Sequence, residues 1–138
     1  MMAEADAAWE AVRLMNELGI KPKRTIRVVL WTSEEVGIQG GNEYHRWVKE
    51  EERSLENHVL AMESDAGVFD PVGFGFSGSE EAYEILSEIG TLLHPIESGE
   101  VTKGGGGADI GPLMREMSAR HGIGCRRLPI FLVPSHRR

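Results

Sequence analysis

The stretch Arg24-Thr25-Ile26-Arg27-Val28-Val29-Leu30-Trp31-Thr32-Ser33-Glu34-Glu35 joins a β-branched apolar run to two adjacent carboxylates. Its apolar part, residues 24–31, reads as a buried strand, because Val and Ile pack well on a pleated surface and lose rotamer freedom in a helix. A second acidic cluster, Met62-Glu63-Ser64-Asp65-Ala66-Gly67, follows a shorter strand-like segment over residues 58–62. Carboxylates at the C-terminal ends of parallel strands are where an open α/β sheet gathers its chemistry. Side chains of neighbouring residues at a strand end point in different directions, so Glu34 and Glu35 can take different tasks. One can bind a metal while the other faces a substrate water, and Asp65 can hold a second metal. Carboxylate oxygens suit zinc at about 2.0–2.2 Å, and two metals about 3.5–4 Å apart clamp a hydrolytic water.

Outward from these two clusters, helix and strand alternate. Ala5, Ala8, Trp9, Val12, Met15 and Leu18 recur at steps of three and four, which predicts an amphipathic helix ended by Gly19 and Pro22. Gly40-Gly41 opens a second helix with Tyr44, Trp47 and Val48 on one face and the charged run 49–53 as its solvated end. Residues 72–76 alternate with glycine and read as a short edge strand. Ser79 is a predicted N-cap, with Glu80 and Glu81 in the first turn, where the helix dipole favours acids. Ala82, Ile85, Leu86, Ile89 and Leu93 then form a buried face. Residues 104–107 read as a flexible glycine turn rather than a phosphate cradle, since no strand–GxxxxGK–helix context surrounds them. Asp109 opens a short helix through Met117. The alternation predicts an α/β fold, three layers (αβα) around a mostly parallel, mixed sheet. Trp9, Trp31 and Trp47 lie on apolar faces or at a strand end, so all three are expected in the core.

With 138 residues, 41% of them apolar, the chain can build one domain. The net charge of −7 is uneven: residues 1–114 carry 9 basic and 21 acidic side chains, whereas residues 115–138 carry six arginines and one acid. An acidic body argues against nucleic acid as a partner. The single cysteine, Cys125, excludes an internal disulfide and has no positioned base that would make it a nucleophile. The first residues carry acids where an export signal has cations, and no run approaches the roughly 18 apolar residues of a membrane span.

The two acidic segments, in this order, resemble the di-zinc exopeptidases related to carboxypeptidase Q and the bacterial leucyl-type aminopeptidases. Residues 24–35 resemble the family's catalytic strand and residues 62–67 its next metal-binding segment. Phe76-Ser77-Gly78-Ser79-Glu80 and Gly107-Ala108-Asp109-Ile110 resemble later landmarks. The resemblance covers residues 7–117 and implies hydrolysis of a terminal peptide bond, by an aminopeptidase or carboxypeptidase, in a peptide or dipeptide substrate. It implies Glu34 as general base, Glu35 and Asp65 as ligands of two zinc ions, and a supporting role for Asp109. Family members are often secreted or periplasmic.

The same resemblance implies three further metal ligands: an upstream histidine, an upstream bridging aspartate and a downstream histidine. This chain is expected to begin after the first two. Of its histidines, His45 is expected at the surface of a helix, while His58, His94 and His121 match no family motif. Residues 125–138, reverse-translated with permitted codons and read one nucleotide later, can give VDDSRYFWYHHTDA, which resembles the family segment ending in the zinc-binding His-His. The expected organisation is therefore a partial catalytic domain over residues 1–117 and a divergent, frameshifted tail over 118–138. Zinc sites generally need three or four ligands, so the polypeptide is expected to bind zinc poorly and to lack peptidase activity. Two alternatives remain open at this stage: a non-catalytic binding domain of the same fold, and a glycoside hydrolase using Glu34 and Asp65 as its carboxylate pair.

Overall fold

The computed structural model describes the backbone of residues 2–52, 55–64, 71–120 and 130–136, with side chains within 6–116 apart from 52–54, 56 and 65–71. The regular elements are α1 (Met2–Glu17), α2 (Gln39–Trp47), β1 (Leu60–Met62), β2 (Pro71–Ser77), α3 (Glu80–Gly90), β3 (Glu100–Lys103), α4 (Gly111–Arg120) and β4 (Ile130–His136). A π turn (Val48–Glu52) extends α2, and short 3-10 turns lie at Leu55–Asn57 and Thr91–Ile96. The strands form one sheet in the order β1-β4-β2-β3. The outer pairings, β1 with β4 and β2 with β3, are parallel, and the central pairing of β2 with β4 is antiparallel. The fold is α/β around a mixed sheet.

Local signals gave the helix ends. Gly19 adopts φ 67°, the Ile20 N–H reaches the Met15 carbonyl at 2.9 Å and the Gly19 N–H reaches that of Asn16 at 3.1 Å. Those two bonds are the Schellman arrangement, which satisfies carbonyls left over at a helix end. Ser79 Oγ accepts from the Ala82 N–H at 3.2 Å and caps α3.

Several expectations give way to the structure. Residues 24–31 form no regular element and pair with no described strand, and Leu30 is 60% exposed. β-branched residues favour extended backbone, but a strand is defined by its ladder, and this segment instead docks on α2 through side chains. Arg27 lies over the Tyr44 and Trp47 rings, 5.8 and 5.2 Å from their centroids, and Trp31 meets Tyr44 edge-on at 5.5 Å. Such contacts contribute about 0.5–1.5 kcal/mol each. The apolar face of α1 is only partly covered: Val12 and Met15 are half-buried, but Trp9 is 65% exposed and Leu18, just past the helix, 72%. On α3, Ala82 and Leu86 are buried, but Ile85 and Ile89 remain half exposed.

β2 is an interior strand, not an edge. Its glycines permit this, since a Cβ on Gly73 would collide with the Glu100 backbone in β3. Glycine in a strand often marks such close approach of another backbone. Residues 104–107 connect β3 to the turn ahead of α4. The Gly104 N–H reaches the Phe76 carbonyl at 2.9 Å, and Ser77 Oγ donates to the Gly105 carbonyl at 2.5 Å. β3 and β4 were not expected, and β4 places part of the basic tail within the sheet.

Two apolar clusters hold the described structure together. Phe76, Ala82 and Leu86 seal α3 onto β2, with Val101 of β3 packed alongside. Val48, Leu55, Ile110 and Leu113 join the end of α2 to α4, with Trp31, Tyr44, Trp47, Ala61 and Met114 around them. Val48 and Ile110 are fully buried, and burial of a side chain of this size contributes about 1.5–3 kcal/mol. The second cluster underlies the candidate site.

Candidate metal centre

Glu34 and Glu35 stand in a turn between residues 24–31 and α2. The Glu34 carbonyl accepts from Gly37 N–H at 3.1 Å and Ile38 N–H at 3.0 Å, and the Gly40 N–H closes back onto the Thr32 carbonyl at 3.1 Å. Glu34 is half-buried and Glu35 exposed. Ser33, before the pair, has φ 58°, and Ile38, after it, has φ 56° and ψ 40°. Left-handed backbone is unfavourable for a non-glycine residue, most of all a β-branched one. Strain of about 1–3 kcal/mol per residue tends to collect at functional sites. Two such residues bracket the acidic pair.

Asp109 is buried, 6% exposed, in the turn ahead of α4. The predicted helix starts two residues later, at Gly111, so Asp109 belongs to its approach. Two backbone fits hold this turn. Gly41, in the first turn of α2, is packed so tightly that a Cβ there would come within 2.5 Å of the Asp109 carbonyl oxygen. From the other side, Glu63 Oε2 accepts from the Ile110 N–H at 2.8 Å. The helix that follows Glu34 and Glu35, through Gly41, and the side chain of Glu63 therefore both contact the turn bearing Asp109 and Ile110. Asp65 itself lies outside the described residues, as do His121 and Cys125.

The sequence reading missed Glu63, which is 6% exposed. A signal was present: side chains two apart along a strand share a face. Ala61 packs on the Val48 cluster, so Glu63 falls on the same inward side. The reading of His45 as a surface residue is also corrected. It is half-buried, and its Nε2 lies 2.7 Å from Glu116 Oε2, to which Lys49 adds a contact at 3.1 Å. This triad ties α2 to α4 beneath the candidate site. His58 Nε2 pairs with the Tyr44 hydroxyl at 3.2 Å, and Arg27 donates to the same hydroxyl at 3.0 Å.

Carboxylate oxygens are suitable donors for a hard or borderline divalent cation. Their number is the shortfall: among the described residues no three His, Cys, Asp or Glu side chains are grouped to hold a metal. A shallow depression of about 670 Å³ lies beside the acidic turn, lined by Thr32, Gln39, Gly40, Tyr44 and Trp47 with the charged residues Glu43, Arg46 and Glu51. No helix among the described residues is long and apolar enough to cross a membrane.

Comparison with known proteins gives these features a class. Residues 5–109 match the family described as Peptidase family M28, and the chain belongs to that metallo-exopeptidase family. It is 46% identical over 103 residues to carboxypeptidase Q of Bos taurus and, at the same identity and length, to that of Homo sapiens. It is 42% identical over 108 residues to carboxypeptidase Q of Xenopus laevis. These alignments cover 75–78% of this chain but only 21–22% of each relative, so the chain spans about a fifth of their length. No solved structure matches. Family membership leaves the glycoside hydrolase alternative without support.

Proposed function

We propose that this chain is part of a zinc-dependent exopeptidase domain that cleaves terminal peptide bonds, with Glu34 as general base and Glu35 and Asp65 as metal ligands. Asp109 supports the site from the turn ahead of α4. The observation that supports this reading is that this turn is touched both by Gly41 of α2, the helix after the acidic pair, and by Glu63 through the Ile110 N–H. In that role Glu34 takes a proton from the attacking water on a carboxylate oxygen and returns it to the departing amine, as one carboxyl group can do in turn. Its half-buried position disfavours competing solvation of the carboxylate. Zinc, when bound, polarises the scissile carbonyl and lowers the pKa of water. The relatives' name favours the carboxypeptidase branch over the aminopeptidase one, with peptides or dipeptides as substrates.

We further propose that residues 1–117 form the partial catalytic domain and 118–138 a divergent, frameshifted tail. The family match ending at residue 109 supports that division. Sequencing the genomic locus tests it, since codons incompatible with the shifted string VDDSRYFWYHHTDA contradict the frameshift. With few ligands in place, this polypeptide binds zinc poorly and turns over no peptide. Calorimetric titration of the isolated chain with zinc is expected to show no tight site, and two tight sites would refute the proposal.

A further inference from the structure

The Tyr44 hydroxyl is a polar group on the apolar face of α2 that the proposed chemistry does not use, and three separate segments meet at it. We propose that Tyr44 is the positioning residue of the acidic turn. Its hydroxyl accepts from Arg27 and donates to His58 Nε2, and this relay holds the turn carrying Glu34 and Glu35 against α2. The proposal deepens the exopeptidase reading above and rests on it for the task of Glu34.

Three observations carry it. First, the contacts give the relay a direction. Arg27 can only donate, and its Nη1 lies 3.0 Å from the Tyr44 oxygen, which leaves the single hydroxyl proton for His58 Nε2 at 3.2 Å. In a chain of this kind each hydrogen bond strengthens the next. Second, the far end of the relay is anchored. The His58 N–H reaches the Leu55 carbonyl at 3.2 Å, and Leu55 belongs to the buried cluster that joins α2 to α4. Third, the near end governs the chain entering the turn. Residues 24–31 pair with no described strand, so side-chain contacts hold them. Arg27 lies over the Tyr44 and Trp47 rings, and Trp31, edge-on to Tyr44, leads straight into the turn. Beyond it the Gly40 N–H closes on the Thr32 carbonyl, and a Cβ on Gly40 would come within 2.8 Å of that oxygen. Ser33 and Ile38, both left-handed, lie inside this closure. Strained backbone persists only where its surroundings over-determine it, and the relay supplies the hold on the entering chain.

A tyrosine that merely fills space would support the whole fold, and the test separates the two roles. Amide exchange is measured by NMR in the 138-residue chain, in Tyr44→Phe and in Arg27→Met, at Gly37, Ile38 and Gly40 of the turn and at Met114 of α4. The ¹⁵N signal of His58 Nε2 is recorded for each in mildly alkaline buffer. In Tyr44→Phe the three turn amides are expected to exchange about 3- to 10-fold faster, with Met114 within about twofold of the parent, because one hydrogen bond that gates a local opening is lost. Arg27→Met is expected to speed the same amides by a smaller factor, since the rings and the His58 bond remain. His58 Nε2 reports an accepted hydrogen bond in the parent and in Arg27→Met and loses it in Tyr44→Phe. Turn amides that keep the parent rate in Tyr44→Phe overturn the proposal. Equal acceleration of Met114 makes Tyr44 a packing residue only and also overturns it. So does a His58 Nε2 that carries its own proton in the parent. None of these readouts involves metal or peptide, so a negative result removes the relay and leaves the exopeptidase reading standing.

Discussion

Two regions of this chain carry equally clear sequence signals and end in opposite states. The α2–α4 region buries Val48, Leu55, Ile110 and Leu113 and draws Trp31, Tyr44 and Trp47 onto them. The α1 helix and the irregular segment after it leave Trp9, Leu18 and Leu30 mostly exposed. Both regions show apolar periodicity, and both obey their local stop signals. The difference lies in partners: an amphipathic face gains its hydrophobic free energy only when something covers it. Large exposed apolar patches mark interaction surfaces or aggregation hazards. The chain spans about a fifth of its relatives' length, and its partly uncovered apolar face lies on the elements leading into the acidic turn.

This contrast can be broken most forcefully in the core. Ile110→Ala is expected to lower unfolding free energy by about 2–5 kcal/mol, as large-to-small changes at fully buried sites do. Trp9→Ala should change it by no more than about 0.5 kcal/mol. Urea unfolding of both variants checks the pair, and comparable losses would erase the distinction between the regions. Gly41→Ala comes next. Helix propensity favours alanine by up to about 1 kcal/mol, but its methyl group would press on the Asp109 carbonyl. Overpacking should win, for a net loss of about 1–3 kcal/mol, and a more stable variant would contradict the close fit on which the candidate site depends.

A smaller effect is expected from the α3 cap. Ser79→Ala removes the acceptor of the Ala82 N–H and should cost about 0.5–2 kcal/mol by the same unfolding measurement. The smallest is electrostatic. Hydrogen bonds from Arg46 hold the exposed Glu43 carboxylate below its ordinary value of 4.5. A carboxylate depressed in the folded state stabilises the fold above the unfolded value, and that contribution fades as pH falls through the lower folded one. The difference in thermal midpoint between the parent and Glu43→Gln should therefore shrink between pH 6 and pH 3, and also in high salt. A gap that widens toward acid would reverse the assigned sign.

What was legible in the sequence was local. Gly19 as a helix stop, Ser79 as a cap and the shared Tyr44–Trp47–Val48 face each depend on neighbours within a turn or two. What escaped depends on residues far apart in the chain. Residues 24–31 have the composition of a strand, but no ladder among the described residues receives them. Gly73 and Gly75 suggested an edge, whereas Gly73 lets the Glu100 backbone approach an interior strand. β3, Glu-Val-Thr-Lys, is too short and polar to announce itself. Of the candidate site, the sequence singled out Glu34, Glu35 and Asp109 by acidic placement and family resemblance. Glu63 was marked only by its period-two spacing from Ala61, and the fit of Gly41 against the Asp109 backbone was not legible, because it arises only when separate segments meet.

The account stands on Glu35 and Asp65 lying at one rim, and a chemical ruler tests this most directly. In a Cys125→Ser background, Glu35→Cys and Asp65→Cys are introduced together and treated at high dilution with a bifunctional thiol reagent about 8 Å long, a span suited to ligands of two metals about 3.5–4 Å apart. Rapid intramolecular closure of the loop is the expected result. If the reagent instead caps each thiol singly or joins separate molecules, the two carboxylates do not share a site.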